Sequence, residues 1–110
     1  MTVDLRRLGE LQHVMGADAA QILAGLLESM RGAVERIERA LASGDLGEAA
    51  RAAHACRNDG LMVGASELLS ALQVVEQAAR RGELTSARTA LIKLREVWPG
   101  TRDALERALH

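Results

Sequence analysis

Apolar residues along this chain recur at spacings of three and four rather than two, the period of helices packed on one side. Val3, Leu5, Leu8 and Leu11 predict a short first helix ending near Gly16, which suits a left-handed C-cap, with Asp18 placed to cap the next. From Ala19 to about Ala42, Ile22, Leu23, Leu26, Leu27, Met30, Val34, Ile37 and Leu41 predict one long amphipathic helix, stopped by Ser43 and Gly44. Asp45 is the expected N-cap of a third helix that reaches Val63 and ends at Gly64. Ser66 is the expected cap of a fourth, whose stripe of Leu68, Leu69, Leu72, Val75 and Ala79 runs to Arg80, Arg81 and Gly82. A fifth spans Leu84 to Val97, where Pro99 disfavours helical geometry in Trp98 and removes a backbone donor. Thr101 then caps a last short helix ending at Leu109. Short links between long amphipathic helices favour antiparallel neighbours. The expected fold is therefore all-α: an up-down antiparallel four-helix bundle with a short extra N-terminal helix and a Pro-broken C-terminal helix.

Composition agrees with helices and narrows the function. Alanine, leucine, arginine and glutamate dominate, tyrosine and phenylalanine are absent, and β-branched residues are too sparse for a sheet protein. The 110 residues, 48% of them hydrophobic, suit one domain with a packed interior. A net charge of -1 and a single aromatic, Trp98, fit nucleic-acid binding poorly, so no nucleic-acid partner is expected. Nothing resembles a signal peptide or the roughly 20 apolar residues of a membrane helix, and the lone Cys56 forms no internal disulfide. These features predict a cytoplasmic monomer without membrane insertion.

The third helix carries the chemistry. On a wheel at about 100° per residue, Ala49, Ala52, Cys56 and Val63 form its inner face, flanked by Leu46, Ala53 and Gly60. His54 points the other way, with Arg51 and Arg57 three residues to either side and Gly47, Ala50 and Leu61 at offsets of seven or four. A neutral imidazole is a competent nucleophile near neutral pH, and the two guanidinium groups attract a phosphoryl group. Gly47 and Ala50 leave room for a second protein to approach the ring, and Leu61 offers it an apolar contact. On residue types alone, a histidine between arginines is most simply a solvated helix face. His54 and Cys56 lie about 160° apart on the helix, and no residue set has metal-ligand spacing. His13 and His110 read as surface residues near the chain ends.

The ordered sequence ARAAHACRNDGLMVGASELLSALQVVEQAARRGEL resembles histidine-containing phosphotransfer domains. It carries alanine-histidine (Ala53, His54), a basic residue at Arg57, and glycine-alanine ten and eleven positions after the histidine (Gly64, Ala65). The likeness covers about 85 to 90 residues, leaving out the tail beyond Leu94. It implies a four-helix bundle in which His54 accepts a phosphoryl group from a receiver-domain aspartate and passes it to another receiver domain. Arg57, Arg51 and Asn58 would support the phosphoryl group, and Gly47, Ala50 and Leu61 would meet the partner. That partner would be the receiver domain of a response regulator or hybrid kinase. It would supply its own magnesium, so the chain needs no cofactor or metal of its own. Asn58 and Asp59 stand where the family usually has glycine and serine. Asn58 lies on the histidine face, where it would either crowd a bound phosphoryl group or donate a hydrogen bond to it, and Asp59, at the core edge, is placed to pair with an arginine of another helix.

No glycine-rich nucleotide-binding signature occurs, so autonomous kinase activity is not expected. The sensor-kinase phosphoacceptor pattern fails as well, since Ala55 follows the histidine where an acidic residue is needed. The alternative from another class is a non-catalytic adaptor, either a degenerate phosphotransfer-like bundle or a tandem-hairpin bundle, that binds a partner without chemistry. The paired stretches GDLGEAARAA and GELTSARTAL suggest hairpins, but two copies fall short of a solenoid.

Overall fold

The computed structural model describes residues 2–109, and among them there are helices and turns but no strand. The helices are α1 (Leu5–Met15), α2 (Ala19–Ser43), α3 (Leu46–Met62), α4 (Ser66–Arg80) and α5 (Leu84–Leu109). Helices α2 to α5 close an up-down ring, α2 on α3, α3 on α4, α4 on α5 and α5 back on α2, while α1 packs against α2. His110, expected at the surface, lies outside the described residues. The predicted stripes supply most of the interior: Met30, Ile37 and Leu41 of α2, Cys56 of α3, Leu68, Leu72 and Val75 of α4, and Leu94 of α5 are fully buried, and Leu105 of α5 joins them. Leu5, expected on the packed face of the first helix, is 77% exposed. Leu8 and the preceding Val3 make the contact instead.

Helix ends follow local hydrogen bonding, and several differ from the sequence expectation. Asp45 does cap α3, its Oδ1 accepting from the Glu48 N–H at 3.0 Å, after Gly44 turns the chain at φ 79°. Asp18 caps nothing with its side chain, because Gly16–Asp18 winds a 3-10 turn that leads straight into α2. Gly16 has φ 59° but ψ −128°, outside the left-handed helical basin. Ser66 is the first residue of α4 and Ala65 its cap, since Gly64 at φ 63° turns the chain earlier and Ala65 N–H bonds the Gly60 carbonyl.

The expected break at Pro99 does not occur. Helix α5 runs through it to Leu109, and Thr101 is a buried interior residue rather than a cap. Val97 and Trp98 before the proline, and Thr101 and Leu105 after it, are all buried. Packing on both sides thus holds the helix across the lost hydrogen bond. The carbonyl deprived of its donor belongs to Arg95, an exposed residue that water can solvate.

The N-terminal segment straps the α3–α4 connection: Asp4 N–H donates to the Val63 carbonyl at 3.1 Å, and the Asp4 carboxylate accepts from the Arg6 and Arg7 N–H groups at the start of α1. Gly64 lies beneath this strap, where an added Cβ would come 2.5 Å from Cβ of Asp4. Gly64→Ala should therefore destabilise the fold by about 1–3 kcal/mol through backbone strain and clash together. Gly32→Ala, in mid-helix with open space around it, should stabilise it by ~0.5–1 kcal/mol. Urea unfolding of the two variants beside the parent checks both signs.

Candidate functional site

The inner face of α3 is built from small side chains. Ala49, Ala52, Ala53, Cys56 and Gly60 are buried, and a Cβ on Gly60 would lie 3.2 Å from a Leu69 methyl. Helix α4 therefore approaches α3 closely. Burial also pushes the Cys56 thiol up to about 12, so it stays protonated and unreactive in the core.

At the edge of this contact His54 stands on α3 with its side chain 55% exposed. Facing it from α4 is Glu76, a carboxylate only 7% exposed. Glu76 Oε1 accepts from Arg57 Nη1 at 2.8 Å. Its Oε2 accepts from Arg80 Nε at 2.8 Å, lies 2.7 Å from Arg80 Nη2, and sits 3.3 Å from His54 Nδ1. Burial raises the Glu76 carboxyl, but the hydrogen bonds from Arg57 and Arg80, with the charges behind them, outweigh it and hold the group below the usual carboxylate range. A buried, ionised carboxylate thus stands behind the imidazole. With Nδ1 turned toward it, the other ring nitrogen, Nε2, is left for a reacting partner.

The remaining predicted site residues divide. Arg57 belongs to the cluster, 33% exposed and hydrogen-bonded to Glu76. Arg51 is 68% exposed and pairs with Glu48 at 3.4 Å, and Glu48 also accepts from Arg36 of α2 at 2.7 Å. The space beside Gly47 holds this Arg51 head group, 3.4 Å from where a Cβ would stand. Ala50 is 8% exposed and does not form open partner surface. Because α2 and α4 both pack on α3, its buried arc is wider than a one-sided wheel suggests. Asn58 is exposed one turn beyond His54, and Leu61 is 52% exposed. Asp59 accepts from the Ser29 hydroxyl of α2 at 2.6 Å rather than pairing with the arginine expected, since serine is what α2 presents there.

Sequence reasoning missed Glu76 and Arg80, which sit on a different helix from the histidine. One signal was present: Glu76 falls within the apolar stripe of α4, between Leu72, Val75 and Ala79, where a lone carboxylate needs cationic partners.

The family model described as Hpt domain matches residues 21–110. The chain belongs to this family and is a phosphotransfer protein of two-component signalling, a class that interacts with receiver domains. The match runs through the tail beyond Leu94, outside the resemblance expected from the sequence, and omits the first helix, which that resemblance takes in. The fold is similar to the crystal structure of histidine-containing phosphotransfer protein B from Pseudomonas aeruginosa PAO1. That likeness has a TM-score of 0.90 at 24% sequence identity over 98% of this chain and 94% of that one. No curated protein sequence matches. Among the described residues, no helix is long and apolar enough to cross a membrane.

The depressed Glu76 carboxyl has a pH signature. A group whose folded pKa lies below its unfolded value stabilises the fold above the unfolded pKa, and that contribution is lost as pH falls through the folded one. The parent should lose stability between about pH 5 and pH 3, and Glu76→Gln should lose less over the same interval. Urea midpoints at the two pH values check the difference.

Proposed function

We propose that His54 is the phosphoacceptor of a relay in which a receiver domain delivers the group and a second receiver takes it away. The observation that carries this reading is the exposed His54 ring backed by the buried, ionised Glu76 at 3.3 Å. Glu76 favours the proton on Nδ1, and in that tautomer the Nε2 lone pair attacks the phosphorus of an aspartyl phosphate. The phosphorus–oxygen bond breaks, its electron pair leaves with the aspartate carboxylate, and the ring becomes a phosphoimidazolium whose charge Glu76 offsets. The second receiver reverses the step. A magnesium ion, if supplied by the receiver, would offset the negative charge of the phosphoryl group, and none of the residues around His54 would have to hold it.

Arg57 has two roles in this scheme, since it fixes Glu76 and its positive charge, three residues from His54, offsets the negative charge gathering there. Arg51 and Asn58 lie on the same exposed surface, where a cation steers an acidic partner and an amide donates to the phosphoryl oxygens. Leu61 supplies apolar contact area, with Gly47 at the other end of the approach. Ala50, being buried, serves only by being small.

Incubation with a phosphorylated receiver domain, followed by intact-mass measurement at neutral pH, should show one added phosphoryl group that is lost in acid. His54→Gln should abolish it while leaving helicity and melting close to the parent, because exposed substitutions typically change stability by about 0.5 kcal/mol or less. No gain in mass in the parent would return the chain to the non-catalytic adaptor reading, and labelling retained in His54→Gln would assign the wrong residue. In the same assay Arg57→Ala should slow transfer roughly tenfold or more, through loss of a charge-assisted hydrogen bond. Leu61→Ala should weaken receiver binding by about 1 kcal/mol with little effect on helicity.

A further inference from the structure

One oxygen in the site has two claimants. Oε2 of Glu76 lies 2.7 Å from Arg80 Nη2 and accepts from Arg80 Nε at 2.8 Å, yet it is also the oxygen that His54 Nδ1 approaches, at 3.3 Å. Oε1 is held separately by Arg57 at 2.8 Å. Charge-assisted hydrogen bonds from a guanidinium are the stronger ones, so Arg80 takes the better geometry and the imidazole is left at the longer distance. We propose that Arg80 is a positioning residue: by competing with His54 Nδ1 for Oε2 of Glu76, it sets which nitrogen of the neutral imidazole carries the proton. The proposal rests on the reading of His54 as the nucleophile, for which the proton must be on Nδ1 and the lone pair on Nε2.

The competition follows from the placement of the charged groups around the ring. Arg51 and Arg57 stand three residues to either side of His54 on its own helix, Arg51 turned to Glu48 and Arg57 to Glu76, while Glu76 and Arg80 come from α4. Arg51 is committed to Glu48 and touches neither carboxylate oxygen of Glu76. Arg57 uses the oxygen that the histidine does not. Arg80 alone among these cations shares an atom with the ring, and its side chain, 59% exposed at the end of α4, has solvent to move into. An isolated neutral imidazole favours the proton on Nε2, the unproductive form, so the hold of Oε2 on Nδ1 decides how much of the nucleophilic tautomer is present. Arg80 weakens that hold. Its positive charge also attracts an incoming phosphoryl group, and the same side chain thereby has two opposed effects on transfer.

The experiment is ¹⁵N imidazole NMR on the full chain at alkaline pH, and it needs no phosphoryl donor. Its result therefore stands whether or not the relay reading does. Arg80→Ala should raise the Nδ1–H fraction of His54 by twofold or more in the ratio of the two tautomers. Arg80→Lys should restore part of the parent ratio, because an ammonium still competes for Oε2. Arg51→Ala removes the same charge without touching Glu76 and should leave the ratio nearly unchanged. Glu76→Gln should make the ratio insensitive to Arg80→Ala. Three results would overturn the proposal: an unchanged ratio in Arg80→Ala, an equal change in Arg51→Ala, or an equal Arg80→Ala effect with Gln at position 76. Circular dichroism establishes that each variant is folded, and if Glu76→Gln does not fold, the comparison of Arg80→Ala with Arg51→Ala decides alone.

Discussion

The close approach of α3 and α4 is the constraint on which the site depends. Alanine, cysteine and glycine on the inner face of α3 remove the bulk that would hold the helices apart. Only at this separation does a glutamate in the apolar stripe of α4 reach both the histidine and an arginine of α3. A buried carboxylate left without partners would be strongly destabilising, and the two arginines change that balance. Arg57 crosses from α3 and Arg80 comes from one turn along α4, so the cluster ties the helices together while it stands behind the imidazole. Packing and chemistry share the same few side chains.

The division of labour along α3 follows from its neighbours. Helices α2 and α4 cover a broad arc, which takes in Ala49, Ala50, Ala52 and Ala53, and leave a narrow outer strip with Arg51, His54, Asn58 and Leu61. Arg51 is joined through Glu48 to Arg36 of α2, and Asp59 to Ser29 of the same helix, so the strip is braced on the α2 side by polar contacts and on the α4 side by Glu76. The ring is consequently exposed on a surface whose backbone is set by the helix packing beneath it and whose Arg57 is held by Glu76. Such preorganisation lowers the cost of aligning a nucleophile with an incoming phosphorus.

Much of this architecture was legible in the sequence, because periodicity reports which side of a helix is buried. The stripes of α2 and α4, the outward direction of His54 and the capping role of Asp45 all follow from spacing and local backbone chemistry. The ends and interruptions were less legible. Pro99 signals a break by local rules, but Val97, Trp98, Thr101 and Leu105 bury their side chains on both sides of it, and tertiary packing overrides the signal. Ser66 is a good cap by type, yet the turn at Gly64 has already satisfied the geometry one residue earlier. The carboxylate behind the histidine was the largest omission. Glu76 is remote from His54 in sequence, and its partners come from two helices, so no single-helix wheel brings the group together.

The central claim is that Glu76 orients the ring so that Nε2 reacts, and the most direct measurement is the attachment point of the phosphoryl group. Two-dimensional ¹H–³¹P and ¹H–¹⁵N NMR of the phosphorylated chain distinguishes the two ring nitrogens by their couplings to the ring protons. The account predicts a single Nε2-phosphohistidine at position 54. Phosphorylation at Nδ1, the nitrogen turned toward a buried negative charge, would contradict it.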